Sequence, residues 1–134
     1  MSSWKPYQEH DTVVVVNFGG QYTHLISRRI RELNVYTEII HYFQFNKDVI
    51  QEIKPKAIIL SGGPKSVYER NAPEIPKWVL ELNIPILGIC YGHQLLAKML
   101  NGVVKHGIGE YGRVQVRILE EDPLFNGWSS IEDV

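Results

Sequence analysis

The residues whose types and spacing could do chemistry are gathered in Gly88-Ile-Cys-Tyr-Gly92, where the chain's single cysteine has a glycine two residues to either side. Pro85 to Ile89 is a short apolar run suited to a buried strand end. From Gln94 the pattern turns helical, with Leu95, Leu96, Met99 and Leu100 on one face and Asn101-Gly102 as a stop signal. Strand, sharp turn and helix with a thiol at the apex is the geometry of a nucleophile elbow. Small neighbours are needed there because the apex backbone is strained and the crowded strands leave little room. A sulfur placed just ahead of a helix also feels the positive end of its dipole, which favours the thiolate. The chemistry in question is nucleophilic attack on an acyl carbon. A lone cysteine in an apolar run also serves as an inert core residue, so Cys90 needs support from elsewhere in the chain.

The elements that must position the thiol read as successive strand–helix units. Thr12-Val-Val-Val-Val-Asn17 is β-branched without alternation, as expected of a strand buried on both faces. Phe18-Gly-Gly-Gln-Tyr22 is a tight glycine turn. Thr23 is placed to cap a helix carrying Leu25, Ile26, Ile30 and Leu33 inward and Arg28, Arg29, Arg31 and Glu32 outward, ended by Asn34. A second strand is expected over 35–42 and a short helix over 46–54, stopped by Pro55. Ala57 to Leu60 is a third strand leading into Ser61-Gly-Gly-Pro64, and Ala72 to Leu82 a proline-started helix before the strand that delivers Cys90. Four such units imply an α/β fold, an open, mostly parallel sheet with helices on both faces. Arg113 to Leu119 alternates like a strand with one solvated face. Glu120 to Val134 is acidic and turn-rich, with no strong closing strand expected. Residues 1–11 read as a polar lead-in and residues 12–134 as one domain.

Composition sets the outer bounds. The 134 residues are 44% hydrophobic and 22% charged, the balance of a globular domain with a real core. A net charge of −1 argues against a dedicated nucleic-acid binder. One cysteine excludes an internal disulfide and a multi-cysteine metal site and suits a reducing compartment, so no metal ligands are expected. No apolar run approaches the roughly 20 residues of a membrane span and the N-terminus has no signal-peptide core, which makes the cytoplasm the default location.

In an open parallel sheet, ligands bind outside the carboxyl ends of the strands. Three strand ends carry special residues: Asn17 to Gln21, Ser61 to Pro64 and Gly88 to Gly92. Gly62-Gly63 can admit a close ligand and present a backbone N–H; with the N–H of Tyr91, the residue after the candidate nucleophile, it would form an oxyanion hole. Ser-Gly-Gly-Pro is also an ordinary turn, and its position at the same edge as Cys90 is what favours the functional reading. It lacks the G-x-x-x-x-G-K-[ST] pattern, and Phe18 to Tyr22 lacks G-x-G-x-x-G, so no ATP or dinucleotide cofactor is expected in this chain.

With these residues assembled, the chain resembles a class I glutamine amidotransferase domain of flavodoxin-like fold, and most of all the glutaminase branch that serves GMP synthesis. The likeness runs from about Val13 to about Leu119. Its most specific pieces are Phe18-Gly-Gly-Gln-Tyr-Thr23 with Arg28-Arg29-Ile-Arg-Glu32, Ile59-Leu-Ser-Gly-Gly-Pro64 with Ser66-Val67, and Gly88-Ile-Cys-Tyr-Gly-His-Gln94; Glu110-Tyr-Gly112 also suits this branch. The resemblance implies that Cys90 attacks the carboxamide of glutamine to form a γ-glutamyl thioester. The N–H groups of Gly63 and Tyr91 would hold the oxyanion, while Gln94 and Gly62 would contact the substrate. It further implies that the ammonia passes to an ATP-pyrophosphatase (synthetase) domain or subunit, where ATP and magnesium belong and XMP becomes GMP.

Two departures from the family pattern stand out. Asn17 occupies a position where the family usually has aspartate, which bears on how the first loop is tied down. The family's thiolate depends on a histidine oriented by a glutamate in a His-x-Glu segment well beyond the cysteine, and no such segment precedes Val134. His93 falls on the first turn of a helix and reads as a structural or surface residue. His106, followed by Gly107-Ile108, offers no matching glutamate. The expectation is therefore a partial amidotransferase domain; the alternatives are a non-catalytic relative that binds glutamine or regulates a partner, and a different flavodoxin-like cysteine hydrolase, for which no acidic base near the elbow is evident.

Overall fold

The computed structural model describes residues 5–105, 115–120 and 122–133. Its frame is a sheet of four parallel strands in the order β2-β1-β3-β4: β1 (Thr12–Asn17), β2 (Tyr36–His41), β3 (Ala57–Leu60) and β4 (Ile86–Gly88). The run of valines makes β1 central. Val14, Val15 and Val16 are fully buried because alternate side chains face opposite layers and both layers are covered.

The helices α1 (Thr23–Arg31), α2 (Lys47–Ile53) and α3 (Tyr91–Met99) provide those layers. On one face, Val14, Val16, Ile58 and Leu60 pack into a single core with Ile50 and Ile53 of α2 and Tyr91 and Leu95 of α3. On the other, Ser27 of α1 shares a hydrogen bond with Thr37, which sits in register with Val13. Asn46 caps α2, its side chain accepting the Val49 N–H at 3.0 Å, and Lys54 ends it in the left-handed region. Before β1, a single 3₁₀ turn (Pro6–Gln8) packs Tyr7 against the core, and Lys5 and Tyr7 both bond Glu52.

Several local expectations change. The helix expected over 72–82 is only a 3₁₀ turn (Lys77–Glu81): Pro73 and Pro76 bias Ala72 and Ile75 toward extended backbone, so helical geometry begins only after Pro76. Thr23 is not a cap; Tyr22 holds the N-cap position without a side-chain bond, and Thr23 is buried inside the first turn. The inward stripe of α1 is carried by Thr23 and Ser27, while Leu25 and Leu33 are exposed. β4 lies at the sheet edge and leaves Leu87 exposed rather than buried. α3 opens at Tyr91, three residues before the expected helical start. Near the C-terminus, β5 (Gln115–Arg117) pairs antiparallel with a short closing strand, β6 (Ile131–Asp133), that the turn-rich sequence concealed. His106 and Glu110-Tyr-Gly112 lie outside the described residues.

Candidate active site

Cys90 stands at the junction of β4 and α3 with φ 54° and ψ −115°. A non-glycine residue in that region costs about 1–3 kcal/mol, and it persists only where the surroundings over-determine it. Here they do. The Ile89 N–H donates to the Leu60 carbonyl at 2.9 Å, the Gly92 N–H lies 3.1 Å from the Ser61 carbonyl and 3.0 Å from that of Ile89, and the Gln94 N–H donates to the Cys90 carbonyl at 3.1 Å. The flanking glycines serve contact. A Cβ on Gly92 would stand 2.0 Å from the Leu60 carbonyl oxygen, and one on Gly88 would stand 2.7 Å from the Gly92 backbone. Strand and helix meet too closely there for any side chain.

The other two glycine loops close on the elbow in the same way. A Cβ on Gly62 would lie 3.4 Å from the Cys90 Cβ, and one on Gly20 would lie 2.5 Å from the Gly62 carbonyl oxygen. One on Gly63 would lie 2.6 Å from the Phe18 carbonyl oxygen. Buried hydroxyls tie these backbones together. The Ser61 hydroxyl donates to the Val16 carbonyl at 2.5 Å and lies 3.1 Å from the Thr23 hydroxyl. The Asn17 Oδ1 accepts the Gly19 N–H at 2.8 Å and lies 3.3 Å from the Thr23 hydroxyl. The Asn17 Nδ2 faces His41 Nδ1 at 3.4 Å. Asparagine thus supplies the acceptor that holds the first loop, and its amide adds a tether to the end of β2.

Between the loops lies a cavity of about 440 Å³, walled by Gly19, Gly20, Gln21, Tyr22, Ile26, Gly62, Gly63, Pro64, Ile89 and Cys90. Cys90, Gly62 and Gly63 therefore meet at one place, as the spacing suggested. Tyr91 and Gln94 do not line it. The Tyr91 ring is buried against Phe18, with centroids 5.1 Å apart, and its hydroxyl donates to the Pro73 carbonyl. Burial, with a contribution from the Glu74 charge, pushes the phenol up to about 12. Its backbone N–H opens α3, and among the described residues neither this N–H nor that of Gly63 donates to an acceptor. The Gln94 Oε1 is buried without a hydrogen-bond partner.

No histidine or carboxylate stands on the cavity wall among the described residues. His24, His41 and His93 are exposed. Gln21, Tyr22, Ile26 and Pro64 are wall residues that the sequence did not mark out, although all but Ile26 fall within the two glycine-turn motifs. A second hollow, about 570 Å³ between α1 and β2, is lined by His24, Arg28, Arg31, Glu32 and Glu38 and contains no cysteine. None of the described helices is long and apolar enough to cross a membrane.

A parallel sheet with a strained cysteine at a strand–helix turn, facing two glycine loops, defines a class, and comparison with known families agrees. Residues 14–133 match the family model for glutamine amidotransferase class-I, and the chain belongs to that family. Similar curated proteins are named GMP synthase [glutamine-hydrolyzing]: one from Pyrobaculum aerophilum is 56% identical over 126 residues, covering 92% of this chain and 24% of its own length. Another, from Clostridium novyi, is 52% identical over 120 residues, covering 89% and 23%. The chain thus spans about a quarter of the length of these relatives. A solved chain from Thermoplasma acidophilum, described as belonging to a GMP synthase, superposes with a TM-score of 0.78 at 32% identity, covering 93% of this chain and 63% of the solved one.

Proposed function

We propose that this chain is the glutaminase part of a GMP synthase. The observation that carries the reading is Cys90 at the apex of the elbow, opening on a cavity bounded by Gly62 and Gly63. The Cys90 thiolate adds to the side-chain carbonyl carbon of glutamine, and the resulting oxyanion takes hydrogen bonds from the N–H groups of Gly63 and Tyr91. Protonated nitrogen leaves as ammonia, giving a γ-glutamyl thioester; water then cleaves the thioester, releasing glutamate and restoring the thiol. Both steps need a proton carrier that the described cavity wall lacks. Gln94, one helical turn past the nucleophile, has a buried, unpartnered Oε1 off the cavity wall, and its side chain must turn toward Cys90 to accept from the substrate's N–H groups.

The ammonia serves an ATP-pyrophosphatase domain or subunit that aminates XMP to GMP in the cytoplasm, with ATP and magnesium bound by that partner. The full length of the relatives and the name they share support this pairing. The test is ammonia release from glutamine by this chain, with and without the synthetase, and with Cys90→Ala as control. Cys90-dependent release that rises with the synthetase supports the proposal. A second reading, a glutamine-binding module without turnover, is favoured by the absence of a base from the described wall. Glutamine binding with no thioester, even beside an active synthetase, would select it.

A further inference from the structure

Resting on the glutaminase reading, a further assignment concerns how the two oxyanion donors keep their spacing. The Gly63 N–H follows β3 and the Tyr91 N–H opens α3, so the donors belong to separate segments of chain. One oxygen can take hydrogen bonds from both only if those segments are held in a fixed relation before the charge develops.

Phe18 touches both segments. A Cβ on Gly63 would stand 3.0 Å from the Phe18 Cβ as well as 2.6 Å from its carbonyl oxygen, so the Gly63 backbone rests directly on this residue. The Phe18 ring meets the Tyr91 ring at 5.1 Å between centroids, with the planes tilted by 47°. Tyr42, from the turn after β2, stacks on the same ring at 5.9 Å with the planes 13° apart. Phe18 is 2% exposed, and it stands behind the cavity wall rather than in it. Its backbone is held on both sides. Before it, the Val16 carbonyl accepts from the Ser61 N–H at 3.2 Å and from the Ser61 hydroxyl; after it, the Gly19 N–H is bonded to Asn17.

We infer that Phe18 is a positioning residue for the oxyanion: packed against Gly63 through its backbone and Cβ and against Tyr91 through its ring, it sets the separation of the two donors without touching substrate. An aliphatic side chain in its place would fill part of the same space but offer no flat face to Tyr91, and the elbow would then be free to shift relative to the Gly63 loop. A misplacement of about 1 Å in such a site costs on the order of a hundredfold in rate.

The experiment compares two reagents on this chain, following Cys90 by mass spectrometry. Iodoacetamide alkylates the thiolate by displacing iodide at a saturated carbon and builds no oxyanion. p-Nitrophenyl acetate acylates it: the sulfur adds to the carbonyl carbon, the oxyanion collapses, and p-nitrophenolate leaves behind an acetyl thioester. Nitrophenolate departs without taking a proton, so neither reaction calls on a general acid. In the folded, unsubstituted chain the ratio of acylation to alkylation is expected to exceed that of the same chain unfolded in urea. Phe18→Leu is expected to slow acylation about tenfold or more and to leave alkylation within about twofold. Phe18→Met, which nearly conserves volume, should do the same and covers the case in which the leucine variant fails to fold. Ile53→Ala, a truncation of the buried core at the end of α2 that leads into β3, should leave the ratio unchanged. An unchanged ratio in the Phe18 variants, or an equal fall in Ile53→Ala, overturns the positioning role and leaves the glutaminase reading standing. A ratio in the folded, unsubstituted chain no higher than in the unfolded one overturns both.

Discussion

Gly92 is pressed onto Leu60 so closely that a Cβ would stand 2.0 Å from the Leu60 carbonyl oxygen. The contact is backbone to backbone, between the elbow and the sheet, and neither side can yield without disturbing the β3 ladder. Gly92→Ala is therefore expected to cost about 3 kcal/mol or more in urea unfolding. A cost under about 1 kcal/mol would show that strand and helix can separate.

The strain at Cys90 makes a separate prediction. Its dihedrals are the mirror image of ordinary extended backbone, which glycine adopts freely and alanine does not. Cys90→Gly should be more stable than Cys90→Ala by about 1 kcal/mol, although neither can be alkylated there. Equal stabilities would mean that the positive φ costs nothing and needs no mechanical support.

Gly63 tests the oxyanion assignment only in part. A side chain there meets the Phe18 carbonyl and must displace the loop that carries the Gly63 N–H, so Gly63→Ala should lower the unfolding midpoint as well as the rate of ammonia release. The two effects separate when the variant is assayed well below its unfolding temperature. There a loss of about tenfold or more in kcat with little change in KM is expected; a change confined to KM would remove Gly63 from the oxyanion role.

Tyr91 should give the fold an alkaline limit. Its phenol is pushed from 10.0 to about 12, so the neutral form is favoured in the folded chain. Stability from this group is complete below pH 10.0 and falls as the unfolded chain, but not the folded one, loses the proton between pH 10.0 and about 12. The slope should reach at most about 1.4 kcal/mol per pH unit, and Tyr91→Phe should remove that part of it. Stability profiles of the two proteins that run parallel through that window would contradict the burial of the hydroxyl.

What could be read from the sequence is what rests on local pattern. The β-branched run of β1 has few alternatives to a buried central strand, and the paired glycines about Cys90 signal a close approach without naming its partner. Placing Gly62 and Gly63 beside Cys90 needs only the rule that parallel strands open on one edge. The misreadings fall where distant chain decides. Leu25, Leu33 and Leu87 keep the hydrophobic pattern of core residues, yet sheet order and helix placement leave them exposed. Thr23 has the chemistry of a cap, but Ser61, 38 residues away, claims its hydroxyl. Pro73 and Pro76 read locally as a helix start, whereas their combined effect is to delay one. A cavity-wall residue such as Ile26, outside the glycine motifs, becomes visible only once the loops meet.

The opposite end of the sheet is built differently, and that has a practical use. Asn34, Lys54 and Asn83 all adopt positive φ just ahead of β2, β3 and β4, where the chain turns back into the sheet. All three are exposed, and they sit a strand's length from the glycine loops. A fluorophore, spin label or surface linker attached at Asn34 or Asn83 would report on or immobilise the domain from its far side. The mouth around Cys90 would stay open to substrate and to whatever docks there.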